Sequence, residues 1–168
     1  VSRQGVGGPD SDTVIRAEIP GTVLLRGDMP APEFKPVDDY RFVYAAPCES
    51  SPNAVLDRRT MTTLLPKANV AELDFDPGYF HYDTDTQTLY ISNADLSPPL
   101  GRPYTLAVSD AAGLKLESPE RVVIEGLAAT GFYPHWGILL ITPESCTVRN
   151  CITFMNTGGI NLSPATGI

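Results

Sequence analysis

Cysteine is scarce in this chain: Cys48, Cys146 and Cys151 are the only three in 168 residues. The odd count and the lack of a C-x-x-C pair exclude a disulfide framework and the usual zinc and redox spacings. Buried free thiols are the expected state. Long apolar runs are also missing. The longest, Gly137 to Ile141, has the length of a strand, well short of the roughly 18 residues a membrane span needs. Basic residues are few, 12 Lys and Arg against 20 Asp and Glu, for a net charge of −8. Phosphate binding needs a basic face, so nucleic acid is not expected as a partner. No stretch carries a sustained helical period. Val1 is not an initiator methionine and no signal peptide precedes it, so the chain reads as processed, trimmed or partial.

What is present points to β-structure. Hydrophobic residues make up 42% and charged residues 19%, an ordinary folded balance. Sixteen prolines and fourteen glycines break the chain into short pieces. Runs rich in Val, Ile, Thr, Tyr and Leu recur between them. Thr13 to Glu18 and Thr22 to Gly27 read as two strands around Ile19-Pro20-Gly21. Residues 28 to 69 read as irregular, with one strand at Arg41 to Ala45. "VAELDF" reads as a strand, followed by a turn at Asp76-Pro77-Gly78 and a hairpin with arms Tyr79 to Asp83 and Thr88 to Ser92. The Pro-rich stretch Ser97 to Pro103 is a connector.

The last third holds an internal repeat. Segments starting at Gly113, Gly137 and Gly159 align at offsets of 24 and 22 residues, matching Leu116 with Leu140 and Leu162, and Ile124 with Val148. A unit of this length cannot bury its apolar side alone, so such units stack. With period two, Val122, Ile124, Cys146 and Val148 point inward, while Arg121, Val123, Glu125, Thr147 and Arg149 point outward. Gly126 and Asn150 fall at the bend, where a left-handed backbone is tolerated. Asn150 is expected to bond the backbone of a neighbouring repeat.

Three segments in order, "VSRQG…TVIRAEIPGTVLLRGD", "LDFDPGYFHYDTDTQTLYISNAD" and "RVVIEGLAATG…GILLITPESCTVRNC", carry a resemblance. The sequence resembles the N-terminal half of bacterial pectin-lyase-like β-helix proteins, a superfamily of polysaccharide lyases and glycosidases. The resemblance implies an all-β, right-handed parallel β-helix with an inserted β-hairpin, truncated at both ends. Residues 1–27 would supply the first strands, 28–103 an irregular insertion containing the 79–92 hairpin, and 104–168 the repeats. It further implies a secreted, periplasmic or cell-surface protein that binds or degrades polysaccharide. Further rungs, or a capping partner chain, would cover the end at Ile168. The alternative is a non-catalytic scaffold that docks to partner chains in a larger complex.

No residue matches the basic catalyst of the lyases, and Lys115 and Arg149 read as solvated strand positions. The candidate sugar-binding group is Tyr133, His135 and Trp136 in "GFYPHWG", since aromatic faces stack on sugar rings and a histidine can bond a hydroxyl. Against this stands simple packing of loop aromatics. Asp74, Asp76, Asp83 and Asp85 form an acidic group that calcium could occupy. Their spacing does not reproduce a calcium loop, and Asp83 and Asp85 also suit a hairpin turn. Many carboxylates are present, with no way to choose the pair that glycoside hydrolysis requires.

Overall fold

A computed structural model describes residues 2–4 and 12–164. The remainder of the "VSRQG" segment and the expected cap at Ile168 lie outside the described residues. The chain divides into two compact units, Val1–Gly27 with Ser109–Ile168, and Asp28–Val108.

The strands of the first stretch are β1 (Ser2–Gln4), β2 (Thr13–Arg16) and β3 (Val23–Arg26). The second unit then supplies β4 (Asp28–Pro30), β5 (Lys35–Pro36), β6 (Tyr44–Pro47), β7 (Ala54–Asp57) and β8 (Thr62–Pro66). A short helix α1 (Val70–Phe75) leads into β9 (Tyr79–Asp83), β10 (Thr88–Ser92) and β11 (Tyr104–Ala107). The chain returns to the first unit with β12 (Leu114–Glu117), β13 (Val122–Glu125), β14 (Leu127–Thr130), β15 (Trp136–Ile141), β16 (Thr147–Arg149), β17 (Ile152–Phe154) and β18 (Gly158–Ser163).

The protein is all-β, but it is not the expected parallel β-helix with one inserted hairpin. Its largest sheet has eight strands in the order β4-β11-β7-β8-β9-β10-β6-β5. Every pairing in that sheet except β8 with β9 is antiparallel. The sheet curls around its own core, in which Phe34, Ala46, Val55, Leu64, Phe80, Leu89, Ile91 and Leu106 are buried together. The resemblance to pectin-lyase-like proteins falls with this finding. Residues 28–103, expected as an irregular insertion with one hairpin, instead supply seven of the eight strands of this sheet. Residues 28–69 hold five strands, and the strand expected at Arg41 to Ala45 lies instead at Tyr44–Pro47. "VAELDF" is helical because Asn69 caps it, accepting from the Glu72 amide at 3.1 Å while its own amide donates to the Glu72 carboxylate.

Parallel pairing otherwise belongs to three smaller sheets of the first unit, β1-β12-β15-β18, β16-β13-β2 and β17-β14-β3. Leu116 pairs with Leu140, and Leu140 with Leu162. Left-handed backbone recurs at matched corners: Ser118 and Thr142, Arg121 and Ser145, Gly126 and Asn150, Gly131 and Met155. Burial follows the alternation, with Val122, Ile124, Ile138 and Leu140 fully buried. Each such side chain contributes about 1.5–3 kcal/mol. Phe132 fills the space beside two glycines. A Cβ on Gly27 would lie 2.4 Å from its Cδ1, and one on Gly113 2.5 Å from its Cε2.

Gly113→Ala is therefore expected to destabilise the chain, since its Cβ would also sit 2.6 Å from the Gly137 carbonyl oxygen. Overpacking against backbone costs about 1–3 kcal/mol. Chemical denaturation of wild type and variant measures it; an unchanged midpoint would mean that Phe132 does not occupy this space.

Candidate functional site

The eight-stranded sheet has a seam. β8 pairs with β7 through Thr62, Thr63 and Leu64, but with β9 only through Leu65 and Pro66. The β9 strand begins at Tyr79, and the chain before it turns away at Gly78, whose φ of +99° suits glycine. Beyond that point β8 keeps β7 on one side and has no paired strand on the other among the described residues. A cleft of about 310 Å³ occupies the gap, walled by Thr62, Thr63 and Leu64 on one side and by Gly78, Ala94 and Asp95 on the other.

Arg102 closes one end. Its Nη1 donates to Asp57 Oδ2 at 2.7 Å, and its Nη2 donates to both the Asp95 carboxylate and the Ser97 hydroxyl. Asp57 ends β7, whereas Asp95 follows β10, so the guanidinium spans the seam. Tyr104 repeats the crossing from the first residue of β11, its hydroxyl donating to Asn93 Oδ1 at 2.7 Å. The Arg102 and Asp57 side chains are almost fully buried, while half of Asp95 faces solvent. Burial by itself raises the Asp57 carboxyl, but bonds from Thr60, the Arg59 and Thr60 amides, and Arg102 hold it below the usual value. Arg102 brings Asp95 down to about 2. Burial pulls the Arg102 guanidinium down, yet Asp95 and Asp57 outweigh it and hold it above its ordinary value. Both acids and the base are therefore charged at neutral pH. Neither carboxyl can serve as a general acid there, and Arg102 cannot serve as a base.

The candidate residues from sequence lie elsewhere. Tyr133, His135 and Trp136 follow β14 in the first unit and are half-buried. Trp136 packs on backbone: a Cβ built on Gly158 would lie 2.0 Å from its Cε3. The His135 carbonyl accepts from the Thr157 amide at 3.1 Å. Asp74, Asp76, Asp83 and Asp85 are dispersed among local roles. Asp74 accepts from the Arg41 and Phe42 amides, Asp76 pairs with Lys67, and Asp83 accepts from the Asp85 and Thr86 amides. Among the described residues no group of three or more His, Cys, Asp or Glu is placed to hold a metal ion.

Gly126 and Asn150 both take left-handed backbone, with φ of 73° and 55°. The Asn150 amide, however, donates to the Glu125 carboxylate at 3.3 Å rather than to a neighbouring backbone. The backbone-bridging asparagine is Asn156, which accepts from the Phe132 amide and donates to the Ala129 carbonyl. The cysteines are free; Cys146 is buried, and Cys48 and Cys151 are half-buried. Among the described residues no helix is long and apolar enough to cross a membrane.

Sequence reading missed the cleft because it treated residues 28–69 as irregular, which left Asp57 and Thr62 to Leu64 without strands. The strand there, "AVLD", is buried at all four positions and so lacks the alternation that marks a half-buried strand. Comparison with family models, with curated proteins and with solved structures finds no match.

Because the folded Asp95 carboxyl lies near 2 against an ordinary 3.8, its pairing stabilises the fold above about pH 4. That contribution is lost as pH falls from about 4 toward 2. Asp57 acts in the same direction. Asp95→Asn is expected to flatten the fall in stability over this window, read from urea midpoints at successive pH values. A profile identical to wild type would remove Asp95 from the ion pair.

Proposed function

We propose that the chain is a non-catalytic module that docks an extended segment of a partner chain at the open edge of β8. The observation that carries this reading is that Thr62 to Leu64, paired with β7 on one side, have no β9 partner on the other. The Lys67 amide donates to the Phe80 carbonyl at 2.7 Å. With a strand period of two, Leu65 and Thr63 direct their backbone groups to the same side, so the Thr63 N–H and C=O face the cleft. An exposed edge of this kind is a template for strand addition.

The outer edges of the same sheet are guarded. β4 ends in Pro30, and β5 consists of Lys35 and Pro36; short edge strands with proline and lysine block pairing. The stretch of β8 beside the cleft, Thr62 to Leu64, carries neither proline nor lysine. A polysaccharide-cleaving activity has less behind it, since the Trp136 ring packs against Gly158 and the Asp57 and Asp95 carboxyls are held ionised.

Amide exchange tests this reading. The Thr63 amide is expected to exchange much faster than those of Thr62 and Leu64, which face β7. A Thr63 amide as protected as Leu64 would mean the edge is closed, and the docking reading would be lost.

A further inference from the structure

We infer that the seam cleft selects an extended peptide carrying a lysine or arginine, with that side chain seated on Asp95. The inference rests on the docking reading and adds the chemistry of the partner. The stretch of β8 without a β9 partner is three residues long, Thr62 to Leu64, or about 10 Å at 3.3 Å per residue, with the backbone groups of Thr63 facing the cleft. That is the length of a short strand segment. The groove follows the path β9 would take if it continued upstream of Tyr79, so an added segment would have Thr63 beside it as a paired strand does.

The charge in the cleft sets the side chain. Asp57 and Asp95 face one guanidinium, so the ionised cluster carries one net negative charge. Arg102 is the only cationic side chain lining the cleft among the described residues. Its Nη donors are already engaged with carboxylates and Ser97, which leaves little for an acidic ligand. Asp57 is buried at the end of the cleft, but the Asp95 side chain is 50% exposed. The Asp95 carboxylate accepts from the Ser97 amide at 3.1 Å, from the Ser97 hydroxyl at 2.9 Å and from Arg102. A carboxylate has about four acceptor positions, so one stays open on the solvent side, where an ammonium or guanidinium can reach it. The net charge of −8 over the chain draws the same kind of partner by long-range attraction.

The test titrates the full chain with three capped pentapeptides, acetyl-Thr-Val-Xaa-Val-Thr-amide with Xaa as Lys, Leu or Glu, following the Thr63 amide resonance. The lysine peptide is expected to bind about two- to fivefold more tightly than the leucine peptide, the range one half-exposed ion pair supplies. The glutamate peptide is expected to bind most weakly. Asp95→Asn should make the lysine and leucine peptides equal. Thr63→Pro, which removes the cleft-facing N–H, should abolish binding of all three, followed in that variant by the Leu64 amide resonance. Lysine and leucine peptides of equal affinity for wild type would overturn the charge preference while leaving docking at β8 intact. If no peptide moves Thr63, or if cellotetraose moves it and the peptides do not, both readings fail. Should Thr63→Pro fail to fold, the comparison of lysine and leucine peptides on wild type and Asp95→Asn still decides the matter.

Discussion

Arg102 ties together parts of the second unit that the backbone joins only weakly. Two residue pairs connect β8 to β9, Leu65 with Tyr79 and Pro66 with Phe80. The two halves of the sheet otherwise meet through side chains: the shared apolar core, the Arg102 bridge from Asp57 to Asp95, and the Tyr104 hydroxyl on Asn93. A buried ion pair contributes little net stability, because desolvation offsets the attraction. Its effect is on geometry. With Asp57 ionised at the end of β7 and nearly inaccessible, the guanidinium has to stay between the two acids, or a buried charge is left unpaired. The seam is thereby held at one width.

This arrangement follows from how the sheet closes. Strands from both halves direct one face into a single core, from Val55 and Leu64 on one side to Phe80 and Ile91 on the other. The sheet must curl to do so, and the antiparallel pairs run without interruption only within each half. At the junction, β8 and β9 run parallel, and α1 lies between them in sequence. The helix takes up Val70–Phe75, so the chain cannot enter β9 before Tyr79. The upper part of β8 is left with one neighbour instead of two.

Sequence reading succeeded where the signal was local. The arms Tyr79–Asp83 and Thr88–Ser92 are legible because Phe80, Leu89 and Ile91 alternate with more exposed residues about a polar four-residue loop. The inward placement of Val122 and Ile124 is legible for the same reason. Reading failed where pairing partners are distant. Val55 pairs with Leu106 on one side and Leu64 on the other, and no periodicity in "AVLD" announces a strand buried on both faces. "VAELDF" misled in another way: its apolar residues suit either period, and only the Asn69 cap decides for helix. The cleft depends on Asp57, Asp95 and Arg102, which are 38 and 7 residues apart in sequence, so no motif could have joined them.

The aromatic group Tyr133, His135 and Trp136 shows why residue type alone is a weak guide to a site. A tryptophan ring can stack on the C–H face of a sugar, or it can lie over a glycine, where no side chain covers the backbone. Gly158 has no side chain to hold the ring away, and the Trp136 ring lies where a Cβ would be. The contact is thus made within the chain, and a ligand would have to share or displace it. At the seam the balance is reversed. Thr63 has backbone groups that no residue of the sheet pairs with, and Asp95 keeps an acceptor position turned to solvent. Groups with unused bonding capacity, rather than groups of suggestive type, are the better evidence for where this protein meets a partner.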